Sequence, residues 1–95
     1  MATTVGLLHL ELRIGQAMTL KDKRRILKSF KDRLGNGWNV SVAEVDAQNE
    51  RRRAVLAVAA VSSDRRYLEG ALQQIVNAAS AQHDMNLVDY EIELL

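Results

Sequence analysis

The chain has no cysteine and no proline among its 95 residues, and only one Phe, one Trp and two Tyr. Lack of cysteine excludes disulfides, a thiolate nucleophile and thiolate-ligated metal. Lack of proline excludes a Pro-rich ligand segment or stiff linker. So few aromatic rings leave no cluster on which nucleic-acid bases could stack. Long hydrophobic runs are missing too: Ala54–Val61, the longest, falls far short of the roughly 20 residues a membrane-spanning helix needs. Met1-Ala2-Thr3-Thr4 puts no positive charge ahead of Val5-Gly6-Leu7-Leu8, so this start does not read as a signal peptide. A cytoplasmic location without a membrane partner is the default expectation.

What is present is typical of a globular protein, with 47% hydrophobic and 26% charged residues. A chain this short has room for one core, so residues 1–95 are expected to form a single domain. The formal net charge is only +1, yet it is unevenly distributed. Residues 1–34 carry eight Lys/Arg against three Asp/Glu, whereas residues 35–95 carry five against nine. One side of a small domain is therefore expected to be positive, which favours a polyanion or an acidic protein surface as partner.

Periodicity divides the chain into six elements. Residues 5–14 alternate, with Leu8, Leu10, Leu12 and Ile14 on one face and Val5, Leu7, His9, Glu11 and Arg13 on the other, the period of a strand. Thr19 then offers an N-cap oxygen, and Asp22 stands in the capping-box position three residues later. Leu20, Ile26, Leu27, Phe30 and Leu34 gather on one side of a helix whose expected end is Gly35-Asn36-Gly37, residues that tolerate positive φ. Asn39–Asp46 reads as a valine-rich strand and Gln48–Arg51 as a turn. Arg53–Val61 is apolar on both faces, as a central strand would be. A second helix begins at Ser62-Ser63-Asp64 with the stripe Leu68, Leu72, Ile75, Val76 and Ala79. The last strand, Met85–Leu95, sets Val88, Tyr90, Ile92 and Leu94 against Asp89, Glu91 and Glu93.

The order β-α-β-β-α-β is that of α+β ferredoxin-like domains: a four-stranded antiparallel sheet with both helices on one face. The opposite face then presents Val5, Leu7, Val55 and Ala57 to water. An apolar sheet face of this kind marks an association surface, and a homodimer through it is expected.

The basic residues cluster on the first helix. Lys21, Lys23, Arg24, Arg25 and Lys28 crowd its beginning, where cations oppose the helix dipole by roughly 0.3–1 kcal/mol each when exposed. Lys23 lies near the centre of the apolar face, so it must either snorkel into water or meet a carboxylate. The topology brings the turn between the second and third strands to the same end, where Arg51 and Arg52 extend the patch; Arg65 and Arg66 fall at the opposite end. Glu44, Asp46 and Glu50 stand close enough to offset part of this charge. The candidate nucleic-acid contacts are thus Lys21, Lys23, Arg24, Arg25, Lys28, Arg51 and Arg52.

No catalytic constellation is found. The serines have no evident base, His9 and His83 have no partner at ligand spacing, and there is no phosphate-binding glycine loop or metalloprotease motif. No enzyme activity, cofactor or metal is expected. His9 and Arg13 are expected to face carboxylates among Asp89, Glu91 and Glu93 across the sheet.

Three stretches carry a family resemblance: Leu20–Arg25, Asn39–Asp46 and Ala59–Asp64. Together with the opening Val5-Gly6-Leu7-Leu8 strand, they make the chain similar to the bacterial DUF503 family of YlxP-like proteins. The matching positions are Lys21, Lys23, Arg24, Arg25, Glu44, Asp46, Ser62 and Asp64. The resemblance implies a ferredoxin-like fold without an established activity, and a link to RNA or the ribosome through gene neighbourhood. Ala47 departs from relatives that carry histidine after the aspartate, which removes any metal or acid–base role there. The leading expectation is RNA or ribosome binding through the basic helix. The alternatives are a homo-oligomeric scaffold or protein-interaction module using the open sheet face and, on fold analogy alone, a small-ligand regulatory domain.

Overall fold

A computed structural model describes Met1–Leu95. Its elements run β1 (Thr4–Arg13), α1 (Leu20–Gly37), β2 (Ser41–Asp46), β3 (Arg53–Ser62), α2 (Arg65–Ser80) and β4 (Asn86–Leu94). The sheet order is β2-β3-β1-β4 and every pairing is antiparallel, the ferredoxin-like arrangement. The β1–β3 ladder runs without a break from Thr4↔Ser62 to Arg13↔Arg53.

Alternation along the two central strands sends Leu8, Leu10, Leu12, Ala54, Leu56, Val58 and Ala60 to one face. Helix α1 covers that face with Leu27, Phe30 and Leu34, and α2 with Leu68, Leu72, Ile75, Val76 and Ala79. Together with Ile14, Ala17 and Met85 they form one cluster of 18 buried residues. Fully burying one such Leu or Ile side chain contributes about 1.5–3 kcal/mol, which makes this layer the main source of stability.

Gly6 sits beneath α2, and a Cβ there would lie 2.8 Å from Leu72 Cδ1 and 3.1 Å from Leu68 Cγ. The missing side chain is what lets α2 approach the sheet this closely.

Both helices start where their capping residues direct. Thr19 accepts from the Asp22 backbone N–H, and the Asp22 carboxylate accepts from the Thr19 and Met18 amides, a complete capping box. Asp64 accepts from the Tyr67 amide at the start of α2.

Three details differ from expectation. Helix α1 continues through Gly35-Asn36-Gly37, no glycine has positive φ, and extended Trp38 ends the helix with its N–H on the Leu34 carbonyl. Strand β2 starts at Ser41, two residues later than the valine pattern suggests. In β4, a bulge pairs Glu11 with Asp89 but Leu12 with Leu87, so Leu87 joins the covered side and Val88 is turned out, 53% exposed.

Candidate functional site

The candidate site lies where the start of α1 meets the β2–β3 turn, and Lys23 holds the two together. Its side chain is 1% exposed, buried between the helix and the hairpin. Nζ donates to the carbonyls of Ala47 at 2.7 Å and Glu50 at 2.6 Å. It also lies 2.7 Å from Glu44 Oε2, off the axis of a directed hydrogen bond, so that contact is chiefly coulombic. Two carbonyl acceptors and one counter-charge surround the ammonium, which is how a cation survives burial.

Regular alternation along β2 supplies the carboxylate, just before a second bulge. Glu44 pairs with Leu56 and Asp46 with Val55, leaving Val45 as the extra residue. Glu44 thus shares the helix-covered side with Leu56 and meets Lys23. Ala47 takes φ 59°, a left-handed conformation that costs a residue with a Cβ roughly 1–2 kcal/mol. That turn aims the Ala47 carbonyl at the buried ammonium.

Lys23 must therefore be withdrawn as a nucleic-acid contact: its charge is enclosed, and nothing outside the domain can reach it. It acts on the site by positioning. The other candidates, Lys21, Arg24, Arg25, Lys28, Arg51 and Arg52, are all exposed. Arg51 reaches Met18 O at 3.3 Å and the Ile14 amide donates to Arg52 O at 2.8 Å, so the hairpin arginines are fastened beside the loop that feeds α1. Arg65 and Arg66 begin α2 after the β3 end that pairs with Thr4, at the far end of the sheet.

Most of the nearby carboxylates are occupied elsewhere; exposed Asp46 makes no ion pair and accepts from the Ala47 amide at 2.7 Å. Arg53 binds Glu11 at 3.1 Å and Glu50 at 3.3 Å. Its pKa is raised, first by the Glu11 hydrogen bond and further by attraction to both carboxylates against some desolvation, so it stays charged. Lys28 binds Asp32 at 2.8 Å; that hydrogen bond, then the coulombic attraction of the same group, lifts its pKa above the ordinary 10.5 despite slight desolvation. Arg25 has a looser contact with Asp22 at 3.7 Å. Lys21, Arg24, Arg51 and Arg52 take part in no ion pair.

On the open face of the sheet, Val5 and Val61 are exposed, and Leu7, Val55, Ala57 and Ala59 are half-buried with no helix above them. His9 pairs with Glu91 as expected, but Arg13 faces Asn86 instead of a carboxylate. Sequence reasoning passed over Arg13 as a site residue; the one available signal was its place at the end of β1, the strand end the Arg51–Arg53 hairpin was expected to approach. No three His, Asp or Glu side chains gather as a metal site. No helix is long and apolar enough to cross a membrane.

Fold and site together define a small ferredoxin-like α+β protein with a basic end held in place by a buried lysine. Residues 5–92 match the family described as "Protein of unknown function (DUF503)", and the chain belongs to that family. It is 38% identical over 72 residues to the uncharacterized protein YlxP of Bacillus subtilis (strain 168), covering 76% of this chain and 78% of that one. Among solved structures, the de novo designed protein Foldit4 superposes with a TM-score of 0.57 at 13% identity, over 98% of this chain and 96% of its own. That likeness concerns the fold alone. An amidase of the hydantoinase/carbamoylase family from Burkholderia phymatum aligns at TM-score 0.49 and 14% identity over 28% of its length, too weakly to carry an argument.

Proposed function

We propose that the protein binds RNA, including RNA presented on a ribosome, through phosphate contacts made by Lys21, Arg24, Arg51 and Arg52. Arg25 and Lys28 contribute less, because Asp22 and Asp32 already attract them. One observation carries the reading: Glu44, Glu50 and Glu11 are taken up by Lys23 and Arg53, and the four leading cations remain exposed without a carboxylate partner. Placing bases in the first turn of a helix works against its dipole, so this surface is better suited to an external anion than to the stability of α1. An array of such cations recognises phosphate spacing and shape, with no provision for base stacking.

Titrating structured RNA at several salt concentrations tests this. Affinity should fall steeply with salt, with a log–log slope of about −0.7 to −0.9 per phosphate neutralised. Lys21/Arg24/Arg51/Arg52→Ala should lose most of the affinity and flatten the slope. Unchanged binding by that variant overturns the proposal.

The open sheet face supports a second reading, a homodimer formed through Val5, Leu7, Val55 and Ala57. The observation in its favour is the contiguous apolar surface these residues make with Ala59 and Val61. Association of this kind should resist salt and be lost in Val5→Asp. A 10.6 kDa species in sedimentation at micromolar concentration overturns it.

A further inference from the structure

We infer that the cleft between the end of β1 and the β2–β3 turn receives a terminal phosphate, the phosphomonoester end of an RNA chain. The inference rests on the RNA reading above and deepens it.

The cleft has a volume of about 450 Å³ and brings together Arg13, Arg51, Arg52 and Arg53 with Glu11 and Glu50. That volume falls within the roughly 300–1,000 Å³ of small-molecule sites. Arg13 and Arg53 are direct partners across the β1–β3 ladder, which brings their two guanidinium-bearing side chains to the same side. On its other side Arg13 meets Asn86, so β4 supplies no carboxylate to pair with it. Both acids in the cleft converge on Arg53, which they neutralise and hold in place. Arg13, Arg51 and Arg52 are left as exposed guanidiniums, with Arg51 tethered by the Met18 carbonyl. The β4 bulge turns Val88 into one wall of the cleft, which stays open to solvent.

Four positive and two negative side chains leave a net charge of +2 in the cleft. A phosphomonoester carries close to two negative charges at neutral pH and presents three oxygens to paired N–H donors. An internal phosphodiester carries only one. A concave, arginine-walled end therefore selects the terminal group. The guanidinium fork suits it better than lysine would.

Binding of one short oligoribonucleotide is compared with and without a 5′-monophosphate, beside a free nucleoside 5′-monophosphate, for wild type and Arg13→Ala. Arg13 is exposed, forms no ion pair or side-chain hydrogen bond, and lies outside the surface proposed for internal phosphates, so the fold should be unaffected. The phosphorylated RNA should bind about tenfold tighter than its hydroxyl counterpart, the scale of one charge-assisted contact, and Arg13→Ala should abolish that preference while leaving hydroxyl-RNA affinity intact. Binding of the free nucleotide, sensitive to Arg13→Ala, also supports the cleft and identifies mononucleotides as an alternative source of the same group. Equal binding of both RNAs without nucleotide binding overturns the cleft and leaves the RNA reading standing. No binding of either RNA, with Arg13-dependent nucleotide binding, overturns the RNA reading alone. No binding of any probe overturns both.

Discussion

Helices α1 and α2 lie on the same face of one sheet and are equally amphipathic, yet they dock by different means. Helix α2 buries only hydrocarbon, five apolar side chains settled over the notch at Gly6. Helix α1 buries Leu27, Phe30 and Leu34, and then in its first turn an ammonium fastened to two carbonyls and a carboxylate of the hairpin. Hydrocarbon contact is non-directional and tolerates small shifts, whereas an enclosed lysine has one workable geometry. The difference teaches that the start of α1 is held for orientation. Lys23 is anchored inward while Lys21, Arg24 and Arg25 on the same turns point outward, and the arginine-bearing turn is pinned beside them.

The largest break in this comparison should come from Lys23→Ala. It strips the half-buried Glu44 of its counter-charge and two enclosed carbonyls of their donor, at a cost of about 3–5 kcal/mol measured by urea unfolding. Amides of Gln48–Arg52 should exchange with solvent sooner than those of α2, and a loss below about 1 kcal/mol would mean the anchor is dispensable. Gly6→Ala attacks the other docking mode. Forcing Leu72 and Leu68 aside should destabilise by about 1–3 kcal/mol, with the lost protection concentrated in α2 rather than the hairpin.

Ala47→Gly should act in the opposite direction. Relief of the left-handed conformation, offset by the entropy of glycine, leaves a net gain of up to about 1 kcal/mol in thermal unfolding. A destabilised variant would show that the Ala47 methyl group, itself buried, matters more than its backbone angle.

The smallest effect belongs to the exposed Lys28–Asp32 pair. A base whose pKa is raised on folding stabilises the native state fully below its unfolded value, and that contribution disappears as pH climbs through the raised one. The gap in melting temperature between wild type and Asp32→Ala should therefore be slight at neutral pH and close above about 10.5. A gap that stays constant through that range would remove the pair from the comparison.

Much of the architecture was legible in the chain itself. Period-two alternation in β1 and two-sided apolarity in β3 identify the central strands, because a strand buried or exposed by face must repeat every second residue. The Thr19/Asp22 capping box was equally readable, being satisfied by neighbours a turn away, whereas Ser62-Ser63-Asp64 located the start of α2 without singling out Asp64 as its cap. The C-terminal end of α1 was not: three permissive residues allow positive φ without requiring it, and the helix continues through them. Nor were the two bulges, since one extra residue in a strand leaves little trace in composition yet reverses which side chains face inward.

The residue pattern by itself determined the element order, the core stripes and the uneven charge, because these depend on short-range periodicity and on counting. It also required that Lys23 find water or a carboxylate, but could not say which. Only the tertiary structure decided that question, through the β2–β3 register that sets Glu44 opposite Leu56 beneath the helix and the left-handed Ala47 that turns a carbonyl inward. The same packing set Arg13 beside the hairpin arginines. Residues so distant along the chain become neighbours through strand register, a cooperative property of the whole sheet that no local window contains.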